Sequence, residues 1–162
     1  MVRGTPTTER EWHRREAASL FNRVWRLLEK KGRTAAETDE MIHAAHASRY
    51  HWGVAGKPVQ WAIGEWQVSH VYAVLRRPEP SAYHANRSLA LCREHGIDDF
   101  PLAFAYEALA RAAAVGGRPR DRDRFVRQAE AAAQHIRDPE DRRLLLADLR
   151  SIPRSARRRR SR

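Results

Sequence analysis

Apolar residues recur at helical spacing along most of this chain. Trp12, Ala17, Leu20, Phe21, Val24, Trp25, Leu27 and Leu28 fall three or four apart, which places them on one helical face ending near Lys31. Thr8 and Glu11 have capping-box spacing ahead of that face. Gly32 is placed to close the helix, because glycine enters the left-handed C-cap conformation cheaply. Thr34 and Glu37 repeat the box, predicting a second helix from about Ala35 to Trp52 that ends near Gly53.

Proline then punctuates the pattern. Pro58, Pro80, Pro101, Pro119 and Pro139 each precede an apolar-periodic segment, at intervals of 22, 21, 18 and 20 residues. Proline fits the first turn of a helix and not its interior, so five further starts are predicted. Gly53, Gly96 and the Gly116-Gly117 pair fall just before starts of this kind. Short connections make successive helices antiparallel neighbours. The central pair is the cleanest, two helices over Lys57 to Gly96 joined at Arg76-Arg77-Pro78. The last helix opens at Asp138-Pro139-Glu140-Asp141 and carries Leu144, Leu145, Leu149 and Ile152 as a terminal cap. Runs of alternating β-branched residues are missing. The expected fold is therefore all-α, with a loose segment over 1–7, one domain over 8–153 and a disordered Arg-rich tail over 154–162. The helix pairs span about 8–53, 57–96 and 100–137, with the capping helix over 139–150.

The pairs share a seam. In the central pair Val68, Ser69, Tyr72 and Leu75 face Ser81, Ala82, Ala85, Ser88 and Leu89. A second copy lies 41 residues on, with Leu109-Ala110 for Val68-Ser69, Ala113 for Tyr72 and Ala129 for Ser88. Small residues let two backbones approach closely while an aromatic fills the gap. This pattern resembles the tetratricopeptide repeat, in a degenerate form with lengthened helices. The resemblance covers roughly residues 9 to 137 and implies a right-handed α–α superhelix of about seven helices. The stretches HAAHASRYHW and GEWQVSHVYAVL are also similar to an uncharacterised bacterial family of small helical-repeat proteins, a likeness that brings no activity with it.

The resemblance further implies a peptide-binding groove on the first helix of each pair. Its positions would be Ile63, Trp66, His70 and Val74 in the middle, Phe104, Glu107, Arg111 and Val115 in the third pair, and Asn22, Arg26 and Lys30 in the first. The expected groove has a basic first wall, an aromatic centre and a Glu-Arg third wall, suited to an acidic group or a free C-terminus. The other reading packs Trp66 against a neighbouring helix and leaves the charges as a solvated face.

Composition adds less. The net charge of +11 falls to +5 on residues 1 to 153 once the six arginines of the last nine residues are removed. Arg157, Arg158, Arg159 and Arg160 would attract any polyanion, including nucleic acid, weakly and without sequence preference. His43 and His46 lie one turn apart, and with Glu65 or His70 they offer a low-ranking metal alternative. No HExxH and no paired Glu-x-x-His motif supports it, and histidines bonded across a helix interface are commoner. Nucleophile elbows and phosphate-cradling glycine loops are absent, so neither an enzyme nor a cofactor is expected. Cys92 stands alone near a helix end, as a structural thiol in a reducing cytoplasm would. Neither an apolar run of membrane length nor a secretory signal is present, and no membrane partner is expected. Five tryptophans are generous for this length, and Trp12, Trp52 and Trp61 near helix ends suggest an uncovered face that a symmetric homodimer would close. The expected function is a non-enzymatic scaffold binding an unidentified protein or peptide around Trp66 and His70.

Overall fold

The computed structural model describes residues 8–153. Among them it contains seven helices and no strand: α1 (Glu9–Glu29), α2 (Ala35–Ala55), α3 (Pro58–Val74), α4 (Pro78–Glu94), α5 (Asp99–Val115), α6 (Pro119–Ala133) and α7 (Pro139–Ser151). The expected all-α stack is what forms.

Local chemistry fixes the boundaries. Both capping boxes close: Thr8 Oγ1 accepts from the Glu11 amide at 3.2 Å, and Thr34 Oγ1 from that of Glu37 at 3.1 Å. Gly32 takes φ +68° after α1. Arg33 then donates to the carbonyls of Leu27 and Leu28 at 2.8 and 3.0 Å, satisfying acceptors that the helix end leaves free. Pro58, Pro78, Pro119 and Pro139 occupy the first position of their helices. Two starts lie earlier than the prolines suggested, α4 at Pro78 rather than Pro80 and α5 at Asp99 rather than Pro101. A first turn accepts proline at its third residue as readily, because that N–H has no partner within the helix. The second helix also runs past Gly53 to Ala55. Gly56 ends it by donating to Trp52 O at 2.7 Å, and a Cβ there would meet that same oxygen at 2.7 Å.

The helices pair antiparallel as α1·α2, α3·α4 and α5·α6, and each second helix also packs on the first helix of the next pair. Helix α3 touches both α1 and α5, so the first helices form one continuous layer. Helix α7 closes the stack against α5 and α6. The interior is rich in alanine, with Ala62, Ala85, Ala103, Ala105, Ala110, Ala112, Ala113 and Ala129 fully buried. Larger anchors are spaced among them: Val24, Leu27 and Met41 toward α1 and α2, Leu89, Leu91 and Leu109 at the centre, and Leu145 and Leu149 under α7.

The repeat is visible in the backbone. Arg77 N–H donates to Tyr72 O at 2.9 Å, and 41 positions on Arg118 N–H donates to Ala113 O at 2.9 Å. Leu75 to Val71 and Gly116 to Ala112 are copies at the same offset. Arg76 and Gly117 hold the matching left-handed position, at φ 56° and 68°. The seam lies where the small residues put it. Ser69 Oγ donates to Ser81 O at 2.8 Å, Ser81 Oγ returns a bond to Ser69 O at 3.0 Å, and Ser88 Oγ reaches Ala62 O at 2.9 Å. Ser48 does the same in the first pair, donating to Ala17 O at 2.8 Å.

Candidate functional site

The layer made by α1, α3 and α5 carries an aromatic row. Trp66 on α3 lies 5.5 Å from Trp25 of α1 and 5.0 Å from Phe104 of α5, measured between ring centroids, with the Phe104 ring edge-on at 70°. Phe21 meets Trp25 at 6.2 Å, and Phe100 meets Phe104 at 6.2 Å. Aromatic rings at these separations favour such tilted and edge-to-face contacts. They border a cleft of about 360 Å³ lined by Phe21, Trp25, Ile63, Trp66, Phe104 and, from α7, Leu144, with Asp141 at its edge. A second recess of about 180 Å³, bordered by Asn22, Trp52 and Gln60, shares Phe21 and Ile63 with the first. The two are neighbouring apolar recesses on the same layer.

Ile63, Trp66 and Phe104 therefore line a groove together, as their spacing suggested, and Asn22 borders the second recess. Val74, Arg111 and Val115 line a separate recess of about 240 Å³ with Ser151 and Pro153, and the other expected positions line none of the three. The α1 wall is Phe21 and Trp25 rather than Arg26, so the expected basic wall is aromatic. One residue turns a helix face by about 100°, which is enough to exchange a tryptophan for an arginine. Glu107 is fully buried. It accepts from Arg111 Nε at 2.7 Å and from Trp66 Nε1 at 3.3 Å. Arg111 also donates to Asp148 O at 3.0 Å and Ser151 Oγ at 2.9 Å, both on α7. The Glu-Arg wall is thus an internal ion pair fastened by the last helix, with Arg111 Nε and Nη2 both engaged.

His70 lies behind the row, 5.6 Å from Trp25 and 6.0 Å from Trp66. Its Nδ1 is buried without a hydrogen-bond partner. Burial, helped by the nearby Arg111 charge, pushes its pKa down to about 4, so the ring is neutral at neutral pH. Asp148 is driven the other way, up to about 6, by burial and by the Glu107 carboxylate, against the pull of Arg111.

The polar residues of α2, α3 and α4 form a separate knot. Glu65 accepts from Arg49 Nε at 2.9 Å on one oxygen and pairs with His84 Nδ1 at 2.7 Å on the other. Burial works to raise its pKa, but the His84 and Arg49 contacts outweigh it and hold the carboxyl below its ordinary value. Tyr72 stacks on His84 at 5.9 Å and meets His46 Nε2 through its hydroxyl at 2.9 Å. Both Glu65 oxygens are committed, so this residue ties three helices together. The metal alternative fails on this geometry: Glu65 and His46 are engaged elsewhere, His43 is exposed, and His70 sits among the tryptophans. Among the described residues no group of three or more His, Cys, Asp or Glu side chains converges on one point.

Burial pushes the Cys92 thiol up to about 11, which leaves it protonated and unreactive. No helix among the described residues is long and apolar enough to cross a membrane. Arg157 to Arg160 lie outside the described residues. Sequence reasoning placed Phe21 and Trp25 in the core and read Asp141 only as a helix-start acid; Arg49 and His84 carried no signal beyond their charge. No family model matches this sequence, and no curated protein or solved structure shows significant similarity to it.

Proposed function

We propose that this chain is a non-enzymatic scaffold of tetratricopeptide-like helix pairs that binds a segment of another protein along the α1–α3–α5 layer. The observation that carries this reading is the aromatic cleft bordered by Phe21, Trp25, Ile63, Trp66, Phe104 and Leu144, with a second apolar recess beside it. Large, stiff aromatic side chains supply contact area at low entropic cost, which is why they dominate binding hot spots. Two apolar recesses that share Phe21 and Ile63 offer successive side-chain pockets to an extended or helical peptide. The lone buried thiol fits a reducing compartment such as the cytoplasm.

Leu144 is the position for the test. Trp66 packs on both Trp25 and Phe104, so removing it would disturb the stack. Leu144 is 54% exposed where it lines the cleft, so Leu144→Asn removes an apolar anchor without adding charge and spares the core. Peptides selected by random display on the wild-type protein should lose at least about tenfold in affinity on this variant, the loss of one apolar anchor. If every selected peptide binds the variant as well, the groove is not the site.

A further inference from the structure

Asp141 supplies the charge among the residues lining the main cleft, and the remaining lining is aromatic or aliphatic. Its surroundings do not neutralise it. Arg137 is bound to Asp99, through its backbone N–H at 3.1 Å and its Nε at 2.7 Å. Arg142 donates to the carbonyls of Ala133 and Gln134 at 2.9 and 3.0 Å. Arg143 pairs with Glu140 at 2.6 Å. Each nearby cation thus has another partner, and Asp141 forms no ion pair among the described residues. Burial raises the Asp141 pKa, and the charges of Asp138, Asp99 and Glu140 raise it further, as expected of a carboxylate lacking a counter-charge. The start of α7 favours an acidic residue in general, but it does not require one at the edge of an aromatic cleft.

We propose that the peptide taken by this groove presents an arginine or lysine side chain, its charge against Asp141 and its stem against Trp25, Trp66 and Phe104. Aromatic faces attract cations through their quadrupole, and a carboxylate beside them supplies the formal charge. The long aliphatic stem of either residue matches the apolar walls. This reverses the acid preference expected from the sequence, because Arg111 is engaged by Glu107 and α7 beside a different recess, whereas Asp141 supplies the charge in the aromatic cleft. The inference rests on the peptide-groove reading above.

The probes are acetylated, amidated heptapeptides of leucine and alanine with a central arginine, citrulline or glutamate. Citrulline keeps the shape of arginine and removes the charge. Binding is read from the indole N–H resonances of Trp25 and Trp66, assigned through Trp→Phe variants, at peptide concentrations up to the millimolar range. The arginine peptide should bind about tenfold more tightly than the citrulline peptide, with glutamate weakest. Asp141→Asn should abolish the preference, so that the arginine and citrulline peptides bind this variant equally. Equal affinity for arginine and citrulline on the wild-type protein would overturn the cation assignment while leaving the groove standing. So would an arginine preference that survives in Asp141→Asn. If no peptide of the series moves either resonance, the groove reading falls together with the cation assignment.

Discussion

The residues that matter most at the smallest scale are those whose charge state the fold has altered. His70 is neutral in the fold, with a pKa of about 4 against an ordinary 6.5. Between those values the unfolded chain binds the extra proton, so stability falls as pH drops through this window, by about 3 kcal/mol at pH 4. Asp148 opposes it. With a pKa of about 6 against 3.8, it binds its proton preferentially in the fold, and stability falls as pH rises between those values. The two partly cancel, so the wild-type profile alone is uninformative. His70→Leu separates them: it should gain on the wild type by about 3 kcal/mol between pH 7 and pH 4 in urea titrations. A difference independent of pH would show that His70 protonation is not coupled to folding. The Glu107–Arg111 pair gives a second test. Arg111→Met leaves a fully buried carboxylate without its counter-charge and should cost about 3–5 kcal/mol, most of it recovered by adding Glu107→Gln. If the single substitution costs less than about 1 kcal/mol, Glu107 is not held charged by this pair.

At the scale of helices, the boundaries were readable wherever one residue type decides them. Thr8 and Thr34 cap, Pro58, Pro119 and Pro139 start, and Gly32, Gly96 and Gly117 turn, because each choice is made by local backbone chemistry. The seam of Ser69, Ser81 and Ser88 was readable for a similar reason, since close helix approach demands small side chains. What the pattern could not supply was rotation and cover. Moving the α1 wall from Arg26 to Trp25 takes one residue of rotation, and that depends on how α1 leans on α3. The withdrawal of Glu107 and Arg111 depends on α7 landing across α5, a long-range contact that leaves no mark on α5 itself. The repeat makes its own prediction. Arg76 holds the left-handed turn position that Gly117 fills in the next copy, at φ 56°. A side chain there costs roughly 1–2 kcal/mol relative to glycine. Arg76→Gly should therefore raise stability by about 1 kcal/mol, read as an increased urea midpoint with unchanged slope. A loss of stability would mean that Arg76 makes a contact stronger than the strain it bears.

Across the whole molecule the two faces of the stack differ in kind. Between α2, α3 and α4, polar side chains are consumed internally, with Glu65 holding Arg49 and His84. Along α1, α3 and α5, Phe21, Trp25, Trp66 and Phe100 are left partly exposed around a cleft whose floor includes the buried Phe104. Stability accounts for the first arrangement, and the proposed peptide would account for the second. The most direct measurement is a crystal structure of the chain with a display-selected peptide. The peptide is expected to lie across Phe21, Trp25, Ile63, Trp66 and Phe104, with one basic side chain reaching Asp141. A peptide seated instead on the α2–α4–α6 face, with the aromatic groove empty, would contradict this expectation.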